Sequence, residues 1–233
     1  GMDATGQDTR ALRQVTILEV PNTVSIPTEQ AAAFPTFRAA SAVASGSGTT
    51  ITVTKPTGTT DGDLLVAVIF SDNTTPTPPA GWTRTSVNDT ALPTGNYDLN
   101  TYYKVASSEG ASWDWTITSS VYEGFVCAYS GTHATPFITA SENTGTSDAS
   151  CTGTTITTAT ANALIVFVGA TSSSSNILPP ASMTERVDSS GSLSTFLCDA
   201  VQGAAGATGA KVATWDGSDN WAAHLLACKA AGT

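Results

Sequence analysis

Charged side chains are scarce in this chain of 233 residues. They make up 12% of it, whereas a typical globular domain has roughly 25%. Cations are the rarer kind, with nine Lys and Arg against nineteen Asp and Glu and a formal net charge of −10. Because phosphate backbones and anionic lipid surfaces are bound through clustered cations, this composition argues against a nucleic-acid partner and against a membrane partner.

Long apolar runs are absent as well. The longest, Leu64 to Phe70, is far shorter than the roughly 20 residues that a membrane-spanning helix needs. The first residues also lack the apolar segment of a secretory signal peptide. We therefore expect a chain that is made in the cytoplasm without a signal peptide, even though its Ser/Thr-rich composition is typical of surface proteins.

Residues that commonly carry catalysis or bind metals are few. The two histidines, His133 and His224, lie in a polar stretch and in the last apolar run, and neither pattern indicates a catalytic triad. Four cysteines occur without any Cys-x-x-Cys pair: Cys127, Cys151, Cys198 and Cys228. Buried free thiols are favoured, although disulfides would leave three pairings open. We expect no enzyme activity, no catalytic residue, no metal site and no cofactor.

One phrase of sequence occurs twice. Asp61–Val87 and Ala161–Val187 each contain an unbroken apolar run, a Ser/Thr/Asn-rich stretch, Pro-Pro-Ala, and a Trp or Met before Thr. The copies predict two pseudo-repeats of about six strands each, 49–131 and 152–231, joined by a polar segment. Trp82 and Met183 are expected to close the end of the core in their respective copies.

Strand patterns predict an all-β fold. The run from Leu64 to Phe70 is typical of a central strand that is covered on both faces. Segments 99–106 and 111–118 alternate between apolar and polar residues. In the second segment, the alternation places Trp113, Trp115 and Ile117 on one face. We expect a jelly-roll-like β-sandwich over residues 46–233, preceded by an extended N-terminal arm and connector over 1–45 that contains a strand at 13–27. Two interlocked copies are favoured over two small tandem sandwiches.

Carbohydrate binding is the ligand chemistry that the residues suit best, because sugars stack on exposed aromatic rings and bond to Asp and Asn. The candidate ligand-binding residues are Trp113, Trp115, Asp216, Asp219 and Trp221. Core packing is the alternative for Trp115 and for Trp215, since the two occupy equivalent positions. The segment 215–221 could also hold a calcium ion or form a turn with its own Asx hydrogen bonds. Glycoside hydrolysis needs two facing carboxylates, and no pair stands out.

Several motifs resemble those of known proteins. The N-terminal segment 9–20 is similar to a short motif of tail and other virion proteins of bacteriophages and prophages. The body resembles a family of phage and prophage proteins of unknown function. The matching motifs are Gly62–Leu65, Pro78–Thr83, Tyr102–Glu109, Asn162–Ile165 and Pro179–Glu185.

The resemblance implies a non-enzymatic phage or prophage structural protein, tail-associated or surface-decorating, made in the bacterial cytoplasm and located in the virion. Its arm would dock it to other virion proteins, by strand addition. The alternative is a carbohydrate-binding module that recognises host-surface glycans. The oligomeric state stays open, a homo-oligomer included.

Overall fold

The computed structural model describes residues 34–72, 75–87, 89–93 and 96–233, together with Ala4. The chain divides into two units, Gly1–Gln30 and Ala31–Thr233, and every strand named below belongs to the second. The predicted strand at 13–27 and the virion-like motif at 9–20 lie outside the described residues. No helix in the described ranges is long and apolar enough to cross a membrane.

The first sheet is antiparallel and is centred on an apolar strand that is buried along its whole length. Its seven strands are β1 (Thr36–Ala40), β2 (Ala44–Thr54), β3 (Leu64–Ser71), β4 (Thr83–Arg84), β5 (Thr90–Ala91), β6 (Asp98–Val105) and β7 (Ser112–Ser130). The central β3 pairs with β6 on one side and with β7 on the other. β1 and β2 pair successively with β7 at one edge, while β4 and β5 pair with β6 at the other.

The second sheet repeats this plan. Its strands are β8 (Thr132–Gly153), β10 (Ala163–Thr171), β11 (Ile177–Leu178), β12 (Thr184–Ser190), β13 (Ser194–Gln202) and β15 (Lys211–Ala230), and β9 (Thr157–Thr158) pairs with β14 (Gly206–Ala207) as a small separate ladder. The central β10 pairs with β13 and β15, as β3 pairs with β6 and β7. The long edge strand β8 occupies the place of β1 and β2.

The two sheets pack face to face over a shared core. Alternate residues of β3, among them Leu64, Val66 and Val68, lie in one cluster with Leu164 and Val166 of β10. Burying apolar area is favourable by roughly 25 cal/mol per Å², so this layer joins the two copies. The structure confirms an all-β sandwich built from two repeats. Every ladder between the described strands joins strands of one repeat.

Each sheet also curls back over its own outer face. In the first sheet, Ile51 of β2 and Trp115 of β7 cluster with Leu65 and Ala67, whose side chains point away from the shared core. The second sheet has a matching outer cluster with Cys151, Ile165, Phe167, Met183 and Trp215. Register shifts in the two long strand pairs, β2–β7 and β8–β15, mark the bends. Trp82 and Met183 are buried in these outer clusters, which confirms their predicted packing role.

Two boundaries drawn from the sequence are wrong. Residues 36–45 were assigned to the connector, but β1 and the start of β2 pair with β7 inside the first sheet. The polar segment between the copies was expected to join them, but it forms β8 of the second sheet. The repeats therefore span 36–130 and 132–230 (hereafter repeat one and repeat two), and Gly131 alone separates them. Polar edge strands carry too little apolar alternation to be recognised.

Candidate functional site

The tryptophans that were candidates for sugar stacking are packing residues. Trp113, Trp115 and Trp221 are only 7%, 0% and 5% exposed. The ring of Trp115 lies 5.1 Å from that of Trp82, between centroids, in the outer core of repeat one. The predicted alternation is confirmed, but it directs these indoles inward, because the paired strands β2 and β7 fold over the outer face of their own sheet. None of the three offers a free ring face, so the stacking prediction is wrong, and core packing is confirmed for Trp115 and Trp215.

The two aspartates of the same prediction do not come together as a site. Asp216 is exposed, next to Gly217 at φ 104°. Asp219 accepts a hydrogen bond of 2.8 Å from the Ser175 hydroxyl, and Trp221 Nε1 donates to Asp148 over 3.0 Å. Within the described residues, no three His, Cys, Asp or Glu side chains group as metal ligands. The arrangement is a bulged stretch of the β8–β15 ladder that is held by its own side chains.

A different set of polar residues converges on the outer face of repeat one. We call Ser71, Arg84, Asp89, Asp98 and Asn100 the polar cluster. Ser71 and Asp98 are register partners on β3 and β6, and Asn100 follows on the same face two residues after Asp98. Arg84 of β4 pairs with Tyr102 and reaches Asn100 Oδ1 at 3.4 Å.

Hydrogen bonds fix one side of the polar cluster. An Arg84 Nη atom donates to Asp89 Oδ2 over 2.6 Å, and the Asp89 backbone N–H donates to Asn100 Oδ1 over 3.1 Å. Asp89 has φ 54°, a left-handed conformation that is uncommon for residues other than glycine. The amide of Asn100 is thereby oriented with its oxygen toward Arg84 and its nitrogen away from it.

The other side of the polar cluster is unsatisfied. In the part of the chain that the structure describes, four buried polar atoms of this cluster have no hydrogen-bond partner: Ser71 Oγ, Arg84 Nε, Asp98 Oδ1 and Asn100 Nδ2. Asp98 and Asn100 are 5% and 0% exposed. Burial raises the pKa of the Asp98 carboxyl, and the negative charges of Asp89 and Asp72 raise it further. Each buried unpaired polar group costs on the order of 1–3 kcal/mol.

Repeat two shows that the fold does not require these polar groups. Register through the central strands places Phe196 where Asn100 stands, and its ring packs against the space left by Gly169. Ser194 takes the place of Asp98, and its hydroxyl bonds to the backbone of Ser175. Glu185 replaces Arg84. The same backbone thus carries an apolar or satisfied set in one copy and an unsatisfied polar set in the other.

Of the two histidines, which lie in β8 and β15, His224 is the one between the sheets. His224 of β15 is fully buried; its Nδ1 is 3.2 Å from Thr101 Oγ1 and its Nε2 is 2.8 Å from Thr90 Oγ1. Thr90 in turn donates to Glu142 Oε2 over 2.6 Å. Burial lowers the pKa of His224 to about 3. The ring is therefore neutral, and it bridges β5 and β6 of one sheet to β15 of the other.

A buried carboxylate makes the reciprocal bridge. Glu123 of β7 accepts hydrogen bonds of 2.8 Å from Ser189 and from Thr195, which belong to the second sheet. Burial raises the pKa of the Glu123 carboxyl, against the opposing effect of the two hydroxyl donors. Burial therefore disfavours the charged form of both groups, and both contribute to docking of the two sheets.

Glu123→Gln is expected to gain stability relative to the natural protein as the pH rises. An acid whose folded-state pKa is raised contributes stability at low pH that is lost once the pH passes its folded pKa, and Gln removes this loss. Urea unfolding from acid to neutral pH measures the difference. The exposed Asp216→Asn is the control for the removal of one carboxylate from the surface. A Glu123→Gln difference that stays constant with pH would contradict the assignment.

Sequence reasoning missed the polar cluster and both bridges. Their members lie on three or four strands, and only the register brings them together. The one signal available was a comparison of the two copies, because Arg84 aligns with Glu185, each the fourth residue after the Ala of the shared Pro-Pro-Ala motif. No family model, no curated protein and no solved structure matches the chain.

Proposed function

We propose that this chain is a non-enzymatic structural protein of a phage or prophage virion, tail-associated or surface-decorating. The observation that supports the proposal is the way its two copies are joined. One apolar layer is shared by both sheets, and each sheet closes a further layer over its outer face. Such a body is suited to bearing load or spacing other parts, and His224 and Glu123 are engaged in holding its sheets together.

The edge strands support a role for strand addition in assembly. β8 is 22 residues long and its only described pairing is with β15, so its other side offers main-chain groups to a partner. Its carboxylates are limited to Glu142 and Asp148. Long edges of this kind pair readily with an added strand. Other virion proteins are the proposed partners, docked through the N-terminal arm, with such an edge as a further site of contact.

Particle purification tests this function. Prophage particles from the source strain are banded on a density gradient, and peptides of the chain are measured by mass spectrometry. The chain should co-band at a fixed ratio to the major capsid protein, and deletion of residues 1–33 should abolish co-banding of the folded sandwich. A chain that is absent from particles, or that remains at the top of the gradient, would refute the proposal.

Recognition of host-surface glycans is the second candidate. The observation that favours it is the polar cluster of repeat one, since its unpaired atoms are of the types that bind sugar hydroxyls. The candidate residues for this function therefore shift from the buried tryptophans to the end of β3 and β6. The two functions are compatible within one virion protein.

A further inference from the structure

We propose that the polar cluster of repeat one is a binding site for a neutral saccharide. The proposal rests on the second candidate function and gives it a site and a ligand class. The unpaired atoms comprise two donors, Arg84 Nε and Asn100 Nδ2, one carboxylate acceptor on Asp98, and the Ser71 hydroxyl. A sugar hydroxyl both donates and accepts, so a pair of adjacent hydroxyls matches this mixture of groups.

The energetic argument starts from the cost of leaving these groups unpaired. Four such atoms in one place destabilise the folded chain several times more than a single buried unpaired group does. Repeat two avoids the cost at the equivalent positions with Phe196 and with the backbone-bonded Ser194. The polar set is thus a local feature of repeat one, which a ligand that pairs these atoms would stabilise.

The charges select the kind of ligand. Asp89 and Asp98 belong to the cluster, and Asp72 lies close enough to raise the pKa of Asp98. Among the described residues, Arg84 is the one cation that forms an ion pair in the cluster, and its partner is Asp89. An anionic sugar would meet net negative charge, and Coulomb repulsion at short range would oppose its binding. A neutral sugar avoids this repulsion and still uses every unpaired atom.

The entry to the site is the ion pair between Arg84 and Asp89. Both side chains are about one third exposed, at 36% and 38%, and they lie over the buried Asn100. The four unpaired atoms have almost no exposed surface, so a sugar reaches them by separating this pair. An exposed ion pair contributes little to stability, so the hydrogen bonds that the ligand gains offset its loss.

Titration with sugars tests the site. The ¹⁵N-labelled chain is titrated with D-glucose, D-galactose, D-mannose and N-acetyl-D-glucosamine into the millimolar range, and with D-glucuronate as the anionic analogue. At least one neutral sugar should give saturable shifts at residues 71–72 and 84–100, and D-glucuronate should give none. Absence of shifts with all four neutral sugars, or shifts confined to other residues, would overturn the proposal.

Three variants locate the binding. Asp98→Ser installs the residue of repeat two, Arg84→Gln removes the cation, and Glu185→Gln changes the equivalent position of repeat two as the matched control. The first two should weaken binding at least tenfold, and the control should bind as the natural protein does; unfolding curves confirm that each is folded. Unchanged affinity in the first two variants would refute the site, as would a crystal structure from a sugar soak in which only ordered waters pair the four atoms. None of the three should affect co-banding with particles, so the two proposals fail separately.

Discussion

Trp115→Ala is expected to lower the free energy of unfolding by about 3–5 kcal/mol, a large part of the roughly 5–15 kcal/mol of a typical domain. Trp115 is completely buried, and its ring is in contact with those of Trp82 and Tyr102. Its removal leaves a cavity between the folded-back part of the β2–β7 pair and β3. The main chain on both sides of this cavity is held by ladder hydrogen bonds. Urea unfolding followed by circular dichroism measures the change.

Val212→Ala is the matched control for that experiment. Val212 lies on β15, the strand of repeat two that is equivalent to β7, but its side chain is 44% exposed. It should cost less than about 0.5 kcal/mol. If Trp115→Ala lowers the free energy of unfolding by less than about 1 kcal/mol, the β2–β7 pair does not close over the outer face of repeat one as described.

His224→Gln should remove a strong dependence of stability on acid. The folded chain does not protonate His224 until about pH 3, whereas the unfolded chain protonates it near pH 6.5. Because the unfolded state binds the extra proton in this window, stability is fully present above pH 6.5 and is lost as the pH falls toward 3. The loss in the natural protein is on the order of 5 kcal/mol. Gln keeps an amide that can bond to Thr90 and does not titrate.

The measurement compares two slopes. Free energies of unfolding are determined at intervals from neutral pH to the acid limit of folding, for the natural chain and for His224→Gln. Buried carboxyl groups such as Glu123 and Asp98, whose pKa values are raised, act in the opposite direction, but they are present in both proteins and cancel in the difference. Parallel pH profiles would show that His224 is not the group that destabilises the sandwich in acid.

Much of the fold could be predicted because its central strands are distinctive. The apolar run that became β3 and the equivalent run that became β10 are buried on both faces, and no other pattern in the chain is as strong. The Trp113–Trp115 alternation correctly placed both rings on one face of their strand, although not which face is covered. β1 and β8 were missed because edge strands of Thr, Ser, Ala and Asn satisfy their backbone in a ladder without needing apolar side chains.

The polar cluster could not be predicted in the same way. Asp98 and Asn100 alternate with Leu99 and Thr101 along β6. This alternation alone does not say which face is covered by the folded-back β2–β7 pair. The contact of Arg84 with Asn100 depends on the pairing of β4 with β6, which local sequence does not specify. The buried tryptophans were taken for surface residues for the same reason. The β2–β7 and β8–β15 pairs fold back over their sheets through tertiary packing, which local sequence does not specify.

Gly131 has a consequence for how the gene could be rearranged. It has φ 74°, a Cβ at this position would lie 2.6 Å from the Phe34 carbonyl oxygen, and its own carbonyl accepts a hydrogen bond from the Ala231 N–H. The entry to repeat one, the junction and the exit from repeat two therefore meet at one corner. A circularly permuted chain that began at Thr132 and re-entered at Phe34 would need only a short linker. Either copy could be encoded first, and tandem duplication of one copy is a sufficient origin for both sheets.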